Sequence, residues 1–214
     1  MRIERLNLGL NNAYYLEDEK TGEAVLVDCG LESQFDKIIK RLNEISVDVR
    51  RIQWLYITHA HTDHFGSAQR LKKEYGMKVA SSRGAAASME TGSQGQTIPA
   101  TFLGRVFNSF AKKGRCTPVM VDLIIEDGDE LKAGLHAKAT PGHTKDCMSF
   151  CTGEKCVVGD LIMPAFGTMP FYAISREAIL ESLIRLKDSG IKSLLPGHGR
   201  EVSIEFAVEK IVRS

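Results

Sequence analysis

The sequence between residues 54 and 64 is Trp54-Leu55-Tyr56-Ile57-Thr58-His59-Ala60-His61-Thr62-Asp63-His64. It begins as a short apolar run and ends with three imidazoles and one carboxylate, in a chain that has six histidines. An apolar run of this length predicts a buried strand, with the polar side chains just beyond its carboxyl end. Neutral imidazole and carboxylate are donors that zinc, iron and manganese accept in proteins. The stretch therefore predicts a metal site in a loop after a buried strand.

Three later residues repeat this arrangement. His143, Asp160 and His198 each follow a glycine near the end of an apolar segment, and a glycine lets the backbone turn sharply and approach an ion closely. Five of the six histidines thus lie in turn-like segments after predicted strands, which favours metal ligands over histidines of a packed core. The sixth, His136, falls on the polar phase of an alternating strand, and we predict that it is exposed.

Composition narrows the class of protein. A chain of 214 residues can bury a sizeable core as one domain, and its net charge of +1 does not favour a nucleic-acid or membrane partner. Residues 1–7 are too polar for a signal peptide, and no apolar stretch is long enough to span a membrane, so we expect a cytoplasmic protein. Five cysteines in irregular spacing predict reduced thiols, including Cys151 and Cys156, which face each other across a predicted hairpin.

Strand-like and helix-like segments alternate along the chain in two similar halves. Helical periodicity covers residues 35–45, 66–75, 175–190 and 203–211. Predicted strands cover residues 16–27 as a hairpin, then 54–57, 77–80, 119–121, 123–125, 135–139, 149–151, 156–158 and 194–195. Residues 21–28 resemble residues 152–160, because each segment is a turn, a buried strand and a terminal aspartate. This repeat predicts one site built between two sheets.

Residues 81–118 interrupt the alternation. Small and polar residues crowd its first half, and an apolar stripe at helical spacing follows, formed by Phe102, Leu103, Val106, Phe107 and Phe110. A segment of this length inside a compact domain is usually functional. We predict a helical insertion or lid here, and the stripe fits core, a lid or a homodimer contact equally well.

The order of these residues is similar to that of the metallo-β-lactamase superfamily over nearly the whole chain. The matching positions are Asp28, the motif His59-x-His61-x-Asp63-His64, and then His143, Asp160 and His198. The resemblance implies an α/β fold in one domain over residues 1–214. The expected architecture is a four-layer αβ/βα sandwich, with two mixed β-sheets packed face to face and helices outside.

The resemblance also implies a role for each matching residue. It implies a first metal held by His59, His61 and His143, a second held by Asp63, His64 and His198, and Asp160 as the bridge between them. Asp28 would orient the loop from outside, and Asp63 would in addition act in catalysis by orienting a hydroxide and passing a proton to the leaving group. Lys145 and Tyr172 are further predicted substrate contacts.

Two divalent metals per chain follow from this ligand set. Zinc is the first expectation, and iron and manganese remain open because no thiolate is among the ligands. Two ions about 3.5–4 Å apart lower the pKa of a bridging water and clamp the oxygen of an attacked group. The implied reaction class is hydrolysis of a small molecule.

Differences from well-known branches of the superfamily reduce the number of reactions to consider. β-Lactamases generally have cysteine, or no bridging carboxylate, where Asp160 stands. Glyoxalase II has the full ligand set, but its basic glutathione-binding signature is replaced here by the apolar residues 163–170. We therefore predict a metal-bridging hydroxide that attacks an ester, thioester or lactone carbonyl.

Three alternatives stay open. A mononuclear iron persulfide dioxygenase would need only His59, His143 and Asp160. A phosphodiesterase and a non-catalytic ligand-binding module are the other two.

Overall fold

The computed structural model describes residues 1–95, 97–102, 104–106 and 114–213. The amino-terminal half forms a six-stranded sheet in the order β1-β2-β3-β4-β5-β6. Its strands are β1 Arg2–Asn7, β2 Asn12–Glu17, β3 Ala24–Val27, β4 Trp54–Tyr56, β5 Lys78–Ser81 and β6 Leu123–Ile124. The helices of this half are α1 Phe35–Glu44, α2 Thr62–Phe65, α3 Ala68–Tyr75 and α4 Arg83–Met89.

The carboxyl-terminal half forms a second six-stranded sheet, in the order β12-β11-β10-β9-β8-β7. Its strands are β7 Glu130–Leu131, β8 Leu135–Ala139, β9 Met148–Thr152, β10 Lys155–Gly159, β11 Ser193–Pro196 and β12 Val202–Ser203. Helices α5 Arg176–Asp188 and α6 Ile204–Val212 belong to this half. Both sheets are mixed, because each contains antiparallel pairs and at least one parallel pair.

Three apolar clusters hold four layers together. The first packs the amino-terminal sheet against α1 and α3, the second lies between the two sheets, and the third packs the other sheet against α5 and α6. Alternation along β3 shows how the sequence divides between layers, since Val25 and Val27 join the cluster between the sheets and Leu26 joins the outer one. The predicted αβ/βα sandwich is confirmed.

Residues 21–28 and 152–160, which the sequence predicts to be a repeat, occupy equivalent positions in the two sheets. Strand β3 pairs antiparallel with β2 and parallel with β4, and strand β10 pairs antiparallel with β9 and parallel with β11. Asp28 and Asp160 each follow the last residue of these strands. The fold therefore brings one aspartate from each half to the carboxyl ends of matching strands.

Two predicted elements needed correction. Residues 119–121 do not form a strand, because the backbone N–H of Val119 bonds the carbonyl of Met89 at the end of α4 instead of a neighbouring strand. The helix expected from residue 66 begins at Ala68, and the separate one-turn helix α2 precedes it. The predicted helix starts at Ser175 and Ser203 are confirmed, since each hydroxyl accepts a bond from the first turn.

The expectation of reduced thiols is wrong for one pair of cysteines. Cys151 in β9 and Cys156 in β10 stand directly opposite each other, with Cα atoms 4.0 Å apart, and form a disulfide. The two cysteines face each other as the predicted hairpin requires, and the expectation failed because it rested on a reducing compartment. The other three cysteines (Cys29, Cys116 and Cys147) are free thiols.

The segment after β5 bonds to loops of both halves. Ala100 N–H bonds the carbonyl of Phe171, and Gly95 N–H bonds the carbonyl of Ala60. Phe102 is 77% exposed, so it is not a core residue. Leu103, Phe107 and Phe110 of the predicted stripe lie outside the described residues, and a lid over residues 81–118 stays a prediction. In the described part of the chain, no helix is both long and apolar enough to cross a membrane.

Candidate metal centre

The predicted ligands come from loops that leave four strands near one another. His59 and His61 lie between β4 and α2, and α2 itself carries Asp63 and His64. His143 lies between β8 and β9, Asp160 follows β10, and His198 follows β11. All but Asp63 are at least nine-tenths buried. The seven residues that sequence analysis singled out are thus brought together, from both halves of the chain.

The seven residues form two groups, and within each group the possible ligand atoms all lie within 4.8 Å of one another. The first group is His59, His61, His143 and Asp160, and the second group is Asp63, His64 and His198. We call them the first and second half-sites. Asp160 also faces the second half-site, because its Oδ1 lies 3.3 Å from His64 Nε2 and its Oδ2 lies 3.4 Å from His198 Nε2. Asp160 Oδ2 is 3.8 Å from His143 Nε2 in the first half-site.

Hydrogen bonds on the outer nitrogen fix the orientation of three imidazole rings. His64 Nδ1 donates to Asp28 Oδ2 at 2.8 Å. His143 Nδ1 donates to the carbonyl of Tyr172 at 2.6 Å, and His198 Nδ1 donates to the carbonyl of Leu10 at 2.7 Å. Each bond places an N–H on Nδ1 and directs Nε2 at the centre of the cluster. This is the usual way in which proteins prepare histidine for a metal.

Asp28 orients histidines in both half-sites. Its carboxylate accepts bonds from the backbone N–H of Thr58 at 2.9 Å and from Thr58 Oγ1 at 2.8 Å. Thr58 Oγ1 in turn accepts from His59 Nδ1 at 3.0 Å. Asp28 therefore holds His64 directly and His59 through Thr58, and its own backbone adopts a φ of 58°, which is uncommon for a residue other than glycine.

Several buried atoms of the cluster lack a protein partner and fit a metal. His59 Nε2, His64 Nε2 and Asp160 Oδ1 are buried, and none has a hydrogen-bond partner among the described residues. Leaving such atoms unpaired costs free energy, so a native protein normally supplies a partner. Their chemistry, imidazole nitrogen and carboxylate oxygen, suits a divalent ion.

Two histidines of the first half-site, His59 and His143, stay neutral without a metal. Burial, and then the neighbouring imidazoles, hold the pKa of His59 well below its usual value. Burial, together with His61, lowers the pKa of His143 to about 3. At neutral pH both residues therefore present unprotonated nitrogens.

The second half-site has the opposite balance. Burial alone would lower the pKa of His64, but the charges of Asp160 and Asp28 outweigh it and raise that pKa well above its usual value. Against the same effect of burial, Asp160 and Asp63 raise the pKa of His198 to about 10. The pKa of the Asp63 carboxyl is held below its usual range, because His64 and His198 outweigh burial there too. The metal-free second half-site therefore holds protonated histidines beside ionised carboxylates at pH 7.

Two predicted substrate contacts differ in their placement. Tyr172 is half-buried, with its ring centroid 6.1 Å from that of His61. Lys145 is exposed, two residues after His143. His136 is exposed as expected and lies outside the cluster.

Sequence analysis missed the residues that support the ligands. Thr58 lies inside the motif, but its residue type alone does not indicate a supporting role. The turn before β2 also supports the cluster, because Leu10 bonds His198 and Asn11 bonds Asp63, and these partners are far apart in sequence. The ring of Phe166 was missed as well, and it lies 5.9 Å from that of His198 and 4.9 Å from that of Phe171. The ring of Phe166 thus places apolar surface beside His198 of the second half-site.

This chain belongs to the metallo-beta-lactamase superfamily, whose family model matches residues 6–198. It is 30% identical over 183 residues to a protein of Burkholderia pseudomallei named "Probable metallo-hydrolase", an alignment that covers 73% of this chain and 56% of that relative. The chain thus spans little more than half the length of that relative.

Two further similarities are informative. A 63-residue stretch is 33% identical to the hydroxyacylglutathione hydrolase GloC of Haemophilus influenzae, covering 29% of this chain and 26% of that one. A metallo-beta-lactamase structure from Cronobacter sakazakii superposes with a TM-score of 0.70 at 24% identity, covering 99% of this chain and 81% of that chain. At that identity the likeness shows the fold alone.

Replacement of Gly159 by alanine should loosen the support of the first half-site. A Cβ at Gly159 would lie 2.5 Å from Thr58 Oγ1, and φ there is +51°. Gly153→Ala is a matched control, because its φ is +54° and nothing lies within 4 Å of the added Cβ. Both variants incur a backbone cost of about 1–2 kcal/mol, and only Gly159→Ala adds about 1–3 kcal/mol of crowding.

Urea unfolding of the metal-free proteins measures this difference. We expect the free energy of unfolding to fall further for Gly159→Ala than for Gly153→Ala. Equal losses for the two variants would contradict the close approach of Thr58 to this strand end.

Proposed function

We propose that this protein is a binuclear metal-dependent hydrolase that cleaves an ester, thioester or lactone bond in a small molecule. The observation that carries the proposal is the position of Asp160. Its two carboxylate oxygens face His64 and His198 of one half-site and His143 of the other. A carboxylate between two sets of nitrogen and oxygen donors suits two cations better than one.

In this proposal the seven residues hold the ions with the roles expected from the sequence. His59, His61 and His143 hold the first, and Asp63, His64 and His198 hold the second, with Asp160 shared. Ions bound there would supply a hydroxide near neutral pH and polarise a carbonyl oxygen. Zinc is the first expectation, because every donor suits it, and iron and manganese suit the same donors.

Asp63 is the carboxylate of the cluster that solvent and substrate can reach. Its side chain is 34% exposed, whereas that of Asp160 is 5% exposed. His198 Nε2 lies 3.2 Å from Asp63 Oδ2 and keeps the carboxylate in place. We assign Asp63 the transfer of a proton from the attacking water towards the leaving group.

The surroundings support an acyl substrate with an apolar part. Phe166 packs against Phe171 and lies beside His198, which places apolar surface next to the second half-site. Burial, with the charge of Asp63, raises the pKa of Tyr172, so its phenol stays protonated and can donate to an oxygen of the substrate. Local similarity to a hydrolase of hydroxyacylglutathione agrees with acyl transfer to water. Lys145 stays a predicted substrate contact.

Metal content and hydrolysis test the proposal together. Protein expressed without added metal should hold about two divalent ions per chain and hydrolyse members of a panel of aryl esters, acyl thioesters and lactones. Asp160→Asn should lower kcat/KM by about 10²–10³-fold, since it removes the shared charge while keeping the size of the side chain. His136→Ala is the control, because this exposed histidine lies outside the cluster, and it should keep both metal and activity.

Other outcomes would contradict the proposal. One iron per chain with oxygen consumption on a persulfide would indicate the dioxygenase alternative. Faster cleavage of bis(p-nitrophenyl) phosphate than of every acyl substrate would indicate a phosphodiesterase. Two bound metals with no hydrolysis anywhere in the panel would favour a binding module.

Metal binding should release more protons from the second half-site than from the first. A histidine must lose its proton to bind a metal. At pH 7, His143 with a pKa of about 3 is already neutral, and His198 with a pKa of about 10 is protonated. Binding to the second half-site therefore strengthens as pH rises from 7 towards 10, whereas His143 adds no pH dependence to the first half-site over that range.

Calorimetry in buffers of different ionisation enthalpy counts the released protons. His198→Ala leaves the first half-site intact, and His143→Ala leaves the second. We expect zinc binding to release fewer protons from His198→Ala than from His143→Ala. Equal proton release by the two variants would contradict the charge assignment.

A further inference from the structure

The turn between β1 and β2 bonds to the second half-site. This turn covers residues 8–11. The carbonyl of Leu10 accepts a bond from His198 Nδ1 at 2.7 Å. The side-chain amide of Asn11 donates to the backbone carbonyl of Asp63 at 2.6 Å. Two of the three residues of the second half-site are therefore held by adjacent residues of one turn.

Asn12, the first residue of β2, fixes the loop on both sides of His198. Its side-chain amide is buried and donates to the carbonyls of Pro196 and Gly199, each at 2.9 Å. Its backbone N–H donates to the carbonyl of Gly197 at 2.8 Å. An amide carries two N–H donors, which is what two carbonyls at this distance require. Tyr14 also donates to the carbonyl of Pro196, and Arg5 also donates to that of Gly199. Asn12 is the side chain that bonds both carbonyls, one on each side of His198.

Asn11 is itself held in a defined orientation. Its side chain is buried, and its Oδ1 accepts a bond from Gln34 Nε2 at 2.9 Å. Gln34 Nε2 also donates to the carbonyl of Leu8, and Gln34 Oε1 accepts from the backbone N–H of Leu31. Because the oxygen of Asn11 is bound to Gln34, its Nδ2 is directed at the carbonyl of Asp63. A network outside the cluster therefore sets this contact.

The first half-site is supported from elsewhere. His59 is oriented by Thr58, and His143 is oriented by the carbonyl of Tyr172. No described hydrogen bond joins the turn over residues 8–11 to a residue of the first half-site. The two half-sites therefore have separate supports, apart from Asp28 and Asp160.

We propose that Asn11 and Asn12 are positioning residues for the second metal ion alone. The inference rests on the proposed two-ion centre. It adds that the bonds from Asn11 and Asn12 determine how tightly the second half-site holds its ion. Loss of either amide should weaken the second ion and leave the first in place. Supporting contacts of this kind typically change metal affinity by about 10–100-fold.

The test compares Asn11→Ala and Asn12→Ala with Asn7→Ala. Asn7 lies in the same hairpin, and its side chain accepts a bond from the backbone N–H of Gly9 at an exposed position without contact to either half-site. Each protein is dialysed against a limiting chelator, and zinc is then counted by elemental analysis. Competition with a chromophoric chelator gives the two affinities, and cobalt(II)-substituted protein gives a visible absorption signature of each ion.

The expected result is about two ions for the wild type and for Asn7→Ala, and about one for Asn11→Ala and Asn12→Ala, with the affinity of the first ion unchanged. The cobalt(II) spectrum of these two variants should keep the absorption of the first ion. Thermal unfolding of the metal-free proteins checks the fold, and if Asn12→Ala does not fold, Asn11→Ala carries the test alone.

Three results would overturn the inference. Equal weakening of both ions would show general loosening, and unchanged affinity for both would show that the turn has no such role. In either case a wild type that holds two ions leaves the proposed function standing. A wild type that holds one ion would instead remove the two-ion centre, and the inference with it.

Discussion

The buried carboxylate of Asp28 is the contact on which the rest of the site depends. It bonds His64 directly and reaches His59 through the hydroxyl of Thr58, so one side chain fixes imidazole rings in both half-sites. A buried carboxylate is stable only when hydrogen bonds and positive charge compensate for lost hydration. In this protein the compensating groups are Thr58 and His64, which bond the Asp28 carboxylate. The same bonds that make Asp28 tolerable inside the protein thus prepare the nitrogens for a metal.

The two sheets supply the second constraint, which is distance. Strands β3 and β10 occupy matching places in their sheets, and the apolar cluster between the sheets, which includes Val27 and Val157, fixes how close their ends come. Asp28 and Asp160 follow those ends. Because packed interiors deform little, the separation of the half-sites is set by the core and not by the flexible part of the loops. Asp160 can then reach groups on both sides.

The fold and the ligands could be predicted from the sequence, but the bonds that support the ligands could not. Ligands such as His143 follow from donor chemistry and from glycine after an apolar segment, and both signals are local. The bond from His198 to Leu10 joins residues 188 positions apart, and no pattern in either segment announces it. The disulfide between Cys151 and Cys156 is a different case, because the sequence predicts that the two thiols face each other and only the argument from a reducing compartment excludes the bond. Local chemistry identified the ligands, and only tertiary structure identifies what holds them.

Our central proposal is that Asp160 joins two metal ions, each of which is held by residues from both halves of the fold. Anomalous diffraction from crystals of the zinc-loaded protein, measured on both sides of the zinc absorption edge, tests it most directly. We predict two anomalous peaks about 3.5–4 Å apart, one on each side of the Asp160 carboxylate. A single peak among His59, His61 and His143, with Asp63, His64 and His198 in contact only with one another, would contradict it.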